Sequence, residues 1–337
     1  MVMSIIKYAI SGSFSNFSKK LDHVSKENGI SKIRLMVNFL HCFILIGSGY
    51  SDYLNYKLYL RKKSEIKEYA TIKTQDKFYE IVSPSAYKDF FSVKANFLKN
   101  FSKYIDRDSF YACSLEELKK FLKKHEVIMY KPVNGLAGAN VKKIVTSEID
   151  NIHEFYDEIM KKDILLEGYV KQHESVSKFA PNSVNTIRVM TFSYKGKSEI
   201  VLAMMRFGNG IENVDNFHKG GMGVLVDVET GCLVGNAVDK DDNIFESHPY
   251  SNIKFDGFKI PNWELVKNTC LEAANVSDKI HMVGWDVAVT DKGCTFIEGN
   301  RRAGWDLPQV LFNRGRKDLM NYCLNKINEE EGTNYKV

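Results

Sequence analysis

The sequence predicts an α+β protein of two or three packed subdomains, opening with a mainly helical N-terminal region. Three observations carry the prediction. From about Ser31 to Asn100 the chain is rich in Tyr, Phe, Leu and Lys and nearly free of glycine, with apolar residues recurring at three and four positions, as at Ile33, Met36, Val37 and Leu40. Between Ser114 and Val170 helical and strand patterns alternate, and from Val184 onward strand patterns follow one another across turn signals. At 337 residues, 44% hydrophobic and 26% charged, the chain is long enough to bury a full core.

The elements follow in order. Ser114-Leu-Glu-Glu117 has the capping-box pattern that opens a helix, which runs to His125. Val127–Tyr130 is a short strand, followed by a glycine-bearing turn and a strand over Val141–Val145. A helix over Glu148–Lys161 leads to Ile164–Val170, whose continuous apolar run marks a buried strand. Strands are expected at Val184–Phe192, Glu199–Phe207, Gly223–Val228 and Cys232–Val238, forming an antiparallel meander. A helix with Pro261 near its first turn runs to about Ala274, a hairpin spans Val283–Asn300, and a last helix lies near Arg314–Asn328.

Composition excludes several classes. The 47 Lys+Arg against 42 Asp+Glu leave +5, too little to demand a nucleic-acid or membrane partner on charge alone. Cys42, Cys113, Cys232, Cys270, Cys294 and Cys323 are scattered without metal-ligand spacing and read as reduced thiols. The apolar run in Met1–Phe14 is too brief for a signal peptide, and Phe39–Gly49 is well short of the ~20 residues of a membrane helix. These readings place the protein in the cytoplasm, with no transmembrane segment. Nothing in the sequence sets an oligomeric state.

The hairpin is the most informative segment. Gly293 in Asp291-Lys-Gly293 suits a three-residue loop, and pairing Thr290 with Cys294 sets Asp286 opposite Glu298, Gly284 opposite Asn300 and Val287 opposite Ile297. Asp286, Glu298 and Asn300 then share one face, with Val287 and Ile297 on the other. Two opposed carboxylates repel unless one is protonated or a cation lies between them. Hard oxygen donors of this kind suit Mg²⁺ (or Mn²⁺) held jointly with substrate phosphates, the alternative being a solvated polar face.

Lys131-Pro-Val-Asn-Gly135-Leu-Ala-Gly138-Ala-Asn-Val141 joins two strands. Its glycines would let backbone N–H groups approach phosphate, or would serve only turn geometry; it is neither a Walker A motif nor a dinucleotide fingerprint.

Taken in order, these segments resemble the ATP-grasp superfamily, most closely its sugar-transfer-associated, α-L-glutamate-ligase-related branch. The resemblance rests on Lys94, the Lys131–Val141 loop, Leu165–His173, Ser183–Val189, Asp215–Gly221, Gly284–Ala288 and Ile297–Asp306, and covers about residues 90–312. It implies two α+β subdomains clasping ATP, over residues 91–175 and 176–337, after a helical region over 1–90. The Tyr50, Tyr53, Tyr56 and Tyr59 spacing then describes a helix face packing on the ATP domain.

By the same resemblance, Lys94 and Lys131 bind the α- and β-phosphates, the alternative for Lys94 being a helix-surface lysine, and the Gly135–Gly138 loop closes over the triphosphate. Glu167 with the backbone of Tyr169 and Val170 meets adenine, and Glu174 takes the ribose hydroxyls or is a plain loop carboxylate. Arg188 and Arg206 face the γ-phosphate or acylphosphate; Arg188, inside an apolar strand, needs a buried anionic partner in any case. Asp286, Glu298 and Asn300 match the family's metal ligands, and Arg301 or Arg302 steadies the transition state while the other pairs with Asp306. His218 and Lys219 lie where a substrate loop would be, His218 as an acid–base group or a surface residue. The implied activity is ATP-dependent ligation of a small-molecule carboxylate to an amine, one of them a sugar or amino acid, in surface-polysaccharide assembly and without nucleic acid. The alternatives are a small-molecule kinase and a non-catalytic ATP-binding subunit.

Overall fold

The computed structural model describes residues 12–133, 141–211, 215–217 and 220–337. They form two compact units, one made of the described residues through Phe78 together with Pro308–Val337, the other of Tyr79–Leu307.

The first unit is helical, as its periodicity predicts. Helices α1 (Gly12–Asn28), α2 (Lys32–Ile46), α3 (Tyr50–Asn55), α4 (Lys63–Ile66) and the start of α5 (Ile72–Val82) build it. Ser31 caps α2 by accepting from Arg34 N at 3.3 Å, and Gly47 closes it in the left-handed conformation that a side chain would strain. The tyrosine face lies within this unit's own core: Tyr53 and Tyr56 are buried, and the Tyr53 ring packs on Phe17 and Phe39 at 6.2 and 5.4 Å. Its hydroxyl donates to Leu35 O at 2.9 Å, which satisfies the buried polar end. The α3 helix ends at Asn55, so the tyrosine spacing continues into a 3₁₀ turn at Leu58–Leu60.

The second unit begins with two short helices, α6 (Asp89–Ser92) and α7 (Lys94–Asn100), and holds both sheets. Strands β1 (Ser109–Phe110), β2 (Val127–Pro132), β3 (Lys142–Val145) and β4 (Ile164–Gly168) form a four-stranded sheet in the order β1-β4-β2-β3, antiparallel throughout. Helices α8 (Leu115–Lys124) and α9 (Ile152–Lys161) bury Leu118, Phe121 and Ile159 with Ile128, Ile164 and Leu166 of the sheet. The capping box forms as expected, Ser114 Oγ accepting from Glu117 N at 3.3 Å and the Glu117 carboxylate accepting from Ser114 N at 2.8 Å. Helix α9 starts later than Glu148 because Asn151 caps it, accepting from His153 N at 3.0 Å.

A four-residue helix α10 (Glu174–Ser177) leads to the larger sheet, made of β5 (Ile187–Tyr194), β6 (Lys197–Phe207), β7 (Met222–Val226), β8 (Leu233–Asp239), β9 (Ile244–Phe245), β10 (Met282–Thr290) and β11 (Gly293–Asn300). Its order is β11-β10-β5-β6-β7-β8-β9, again antiparallel. The predicted meander is β5 through β8, β9 extends it by one short strand, and the carboxylate hairpin joins it along β5. Helix α11 (Trp263–Ala273) covers one face, with Trp263, Val266 and Cys270 buried. Trp285 and Phe296 stack at 4.8 Å at the centre of this core, with Phe101 5.1 Å from Trp285. Gly299 makes room for the same cluster, since a Cβ there would sit 2.8 Å from the Phe91 and Phe97 rings. The chain returns to the first unit after Leu307, within α12 (Asp306–Leu311), and ends in α13 (Lys317–Glu331). All six cysteines are free thiols. Among the described residues no single helix is long and apolar enough to cross a membrane.

Candidate nucleotide and metal site

The hairpin carries the geometry that matters, and it departs from uniform alternation. Near the turn Thr290 pairs with Gly293, so the loop is the two residues Asp291 and Lys292, and Val287 lies opposite Phe296. A β-bulge then shifts the register, after which Asp286 faces Glu298 and Gly284 faces Asn300, as expected. Ile297 is the extra residue. It lines the cavity instead of backing the sheet opposite Val287, which corrects the regular register. Phe296 and Glu298 are two positions apart, and strict alternation would put both on one face. Phe296 is needed in the core beside Trp285, and the bulge turns Glu298 to the other side.

Within the second unit a cavity of about 580 Å³ lies between the four-stranded sheet and the hairpin edge of the larger one. Its large-sheet wall holds a charged network. Arg188, opposite Asp286 across β5 and β10, forms a two-pronged pair with it: Nε bonds Oδ1, and Nη2 lies 2.9 Å from Oδ2. Arg206 Nη2 reaches the same Oδ2 at 2.9 Å and donates to Thr186 Oγ1 at 2.7 Å. Asp215 accepts from Thr186 N at 2.9 Å and lies 3.6 Å from Arg206 Nε. Arg188 thus has the buried anion that its place in an apolar strand requires. Burial pushes the Asp286 carboxyl up, but Arg188 and Arg206 outweigh it and hold the group below the ordinary carboxylate range.

Glu298 behaves in the opposite way. Withdrawal from bulk water raises its carboxyl first, and the Asp286 charge raises it further. Its side chain still meets solvent inside the cavity, so the effect is weaker than for a sealed group. Among the described residues, Asn300 Nδ2 is buried without a hydrogen-bond partner. An amide presents a donor and an acceptor end, so a half-turn would offer oxygen at the same place. Two carboxylates and this amide fit a hard divalent cation, which would relieve the repulsion at Glu298. Among the described residues no three His, Cys, Asp or Glu side chains converge, so remaining ligands would come from water or phosphate.

The small-sheet wall holds a second network. Glu167 is fully buried and accepts from Arg107 Nη2 at 2.6 Å and from Lys131 Nζ. Arg107 also bonds the carbonyls of Phe296 and Ile297 beside the bulge. Burial raises the Glu167 carboxyl most, yet Arg107 and Lys131 together bring it down to about 2. Lys94 Nζ donates to Pro132 O at 2.8 Å and Val133 O at 3.2 Å, and burial lowers its ammonium below the usual range. Arg301 bonds the Ser83 carbonyl, Arg302 stacks 5.7 Å over the Tyr79 ring, and both line the cavity.

The depressed Glu167 carboxyl makes a stability prediction. Its charge stabilises the fold fully above its ordinary value of 4.5, and that contribution is lost as pH falls toward 2. The difference corresponds to about 3 kcal/mol. Glu167→Gln is therefore expected to lower stability by about that much at neutral pH, measured by urea unfolding, and by progressively less under acid.

Of the other expected residues, Val170 lines the cavity, whereas Tyr169 stands 4.5 Å under the Lys143 ammonium. Glu174 is not brought to the cavity. It opens the short helix α10 on the exposed side and pairs with Lys178 one turn on, at 2.7 Å. Gly135, Gly138, His218 and Lys219 lie outside the described residues. Arg107, Thr186 and Asp215 were not expected as site residues; Arg107 sits between two aspartates in an irregular segment, where no periodicity marks it.

The fold and this constellation define an ATP-grasp protein, and the chain belongs to the sugar-transfer associated ATP-grasp family, whose model matches residues 59–324. Among solved structures it is similar to the ATP-grasp ligase PsnB complexed with a phosphomimetic variant of its minimal precursor, Mg and ADP, at 15% identity over 74% of this chain and 62% of that one, TM-score 0.44. Others are biotin carboxylase from Campylobacter jejuni, at 12% identity over 74% and 48% with TM-score 0.46, and D-alanine–D-alanine ligase from Bacillus anthracis complexed with ATP, at 14% over 72% and 69% with TM-score 0.43. The chain thus spans less than two thirds of the length of the first two. No curated protein sequence matches it.

Proposed function

We propose that this chain is an ATP-dependent carboxylate–amine ligase that forms an amide through an acylphosphate. The observation that carries the reading is the cavity itself. Asp286 and Glu298 are opposed on one wall beside Arg188 and Arg206, and Lys131 and Lys94 stand across from them.

In this reading Asp286, Glu298 and Asn300 hold Mg²⁺ (or Mn²⁺), which would neutralise phosphate charge. Lys94 and Lys131 contact the phosphates, Lys131 keeping Glu167 as a partner while its other ammonium hydrogens remain to donate. Adenine lies along Glu167 and the backbone through Val170. Arg188 and Arg206 fix the acceptor carboxylate for in-line attack on the γ-phosphorus, which expels ADP. The neutral amine nitrogen then attacks the acyl carbon, the C–O bond breaks, and the departing phosphate takes the proton that the nitrogen sheds. Arg301 and Arg302 face the oxyanions that gather charge, as forked donors suit. The family's sugar-transfer association supports a sugar acid or amino sugar joined to an amino acid in polysaccharide modification.

The test pairs sugar acids and amino sugars with amino acids in the presence of ATP and Mg²⁺, read by mass spectrometry. A product weighing both substrates less water, with ADP release that needs both, is expected. Phosphorylation of a hydroxyl without any amine would instead make the chain a kinase.

A further inference from the structure

Helix α2 is built with two apolar faces, and only one has a use in the fold. Leu35, Phe39 and Cys42 are buried in the first unit's core. On the far side Ile33, Val37, Leu40 and Ile44 are 79%, 62%, 49% and 78% exposed. Their spacing places them within an arc of about 60° on the helix. Solvated helix faces normally carry charge, and this one is aliphatic along three turns.

Charge identifies what it would meet. The helix has no Asp or Glu, and its two cations flank the stripe on either side, Arg34 about 90° and Lys32 about 110° from its centre, Lys32 pairing with Asp22 of α1 at 2.7 Å. From Lys32 to Lys63 the chain holds six Lys or Arg residues and one acid, Asp52, which is buried where it caps α3. An aliphatic stripe rimmed by cations is the pattern of a helix lying in a lipid headgroup region, where long basic side chains reach up to phosphate. A second copy of the chain fits less well. The stripe is about 17 Å long and roughly 10 Å wide, on the order of 200 Å², against about 800 Å² per partner in a stable interface. A two-fold contact would also bring together helices that carry no acid to oppose Arg34.

We propose that the outer face of α2 docks this protein peripherally on an anionic phospholipid surface, Ile33, Val37, Leu40 and Ile44 entering the headgroup–acyl boundary with Arg34 at its flank. The docking does not depend on the nucleotide reading and is tested apart from it. Full-length protein is sedimented with vesicles of phosphatidylcholine alone, or with about one third phosphatidylglycerol. Wild type is expected to partition at least ~10-fold more strongly onto the anionic vesicles. Combining Val37→Glu with Ile44→Glu, both on solvent, should cut that partition ~10-fold or more at unchanged circular dichroism. Arg34→Gln should lower it about 5-fold on anionic vesicles and leave neutral ones unaffected. Absence of binding by wild type, equal binding to both vesicles, indifference to the paired glutamates, or a wild-type dimer in light scattering that they dissolve without any vesicle binding would each overturn the proposal.

Discussion

Glu298→Gln is expected to lower ATP turnover by ~10²-fold or more while the folded protein becomes more stable at neutral pH. The two effects share one cause. Glu298 faces Asp286, and its carboxyl is held above its ordinary value of 4.5 by withdrawal from water and by that neighbouring charge. A raised carboxyl destabilises the fold where it is ionised: the cost begins as pH rises past 4.5, is complete above the raised value, and declines from there to nothing as pH falls back to 4.5. Glutamine keeps the shape and removes the repulsion, so the variant's melting temperature should exceed the wild type's at pH 8 and converge with it at pH 4. Turnover should fall because the hard anionic donor is gone. Wild-type turnover in the variant would remove Glu298 from the chemistry, and an unaltered melting temperature at pH 8 would remove the electrostatic opposition.

Asp286→Asn acts on stability in the other direction. Asp286 is 6% exposed and accepts from Arg188 and Arg206, so the neutral amide would leave two guanidinium groups facing each other beside β10. Breaking a buried ion pair from one side costs about 3–5 kcal/mol, much more than the intact pair contributes. A loss of that size is expected in urea unfolding, together with loss of nucleotide-dependent turnover. Replacing Arg188 with Met and Asp286 with Leu together should recover a large part of the stability and none of the activity. If the single variant unfolds within about 1 kcal/mol of wild type, the network does not hold β5 against β10 in the way described.

Much of this site could be read from residue order. Asp286, Glu298 and Asn300 meet because a hairpin is a local object whose partners are close in sequence. The bulge could have been foreseen too: Phe296 demands the core, Glu298 demands water or a cation, and alternation cannot give both to residues two apart. What sequence pattern could not supply was pairing at long range. Lys131 lies opposite Leu165 and Met129 opposite Glu167, so Lys131 and Glu167 become diagonal neighbours only once β4 inserts beside β2. Arg107 meets Glu167 and the Phe296 carbonyl for the same reason. Glu174 shows the same limit in reverse: a spacing of seven residues from Glu167 says nothing of the short helix it opens or of its pairing with Lys178.

The extra residue at Ile297 bears on how relatives of this chain are compared. Strand β11 is in effect two half-strands out of phase, the turn-side half keyed to the core through Phe296 and the far half presenting Glu298 and Asn300 to the cavity. Deleting Ile297 would make Phe296 and Glu298 neighbours in a regular ladder, Phe296 still against Trp285 and Glu298 still opposite Asp286, so the deletion would remove the bulge and keep the presentation of Glu-Gly-Asn. A homologue with the aromatic and the carboxylate adjacent can therefore share this site without the phase slip, whereas one with a residue between them needs it, so the spacing tells which of the two ladders to expect.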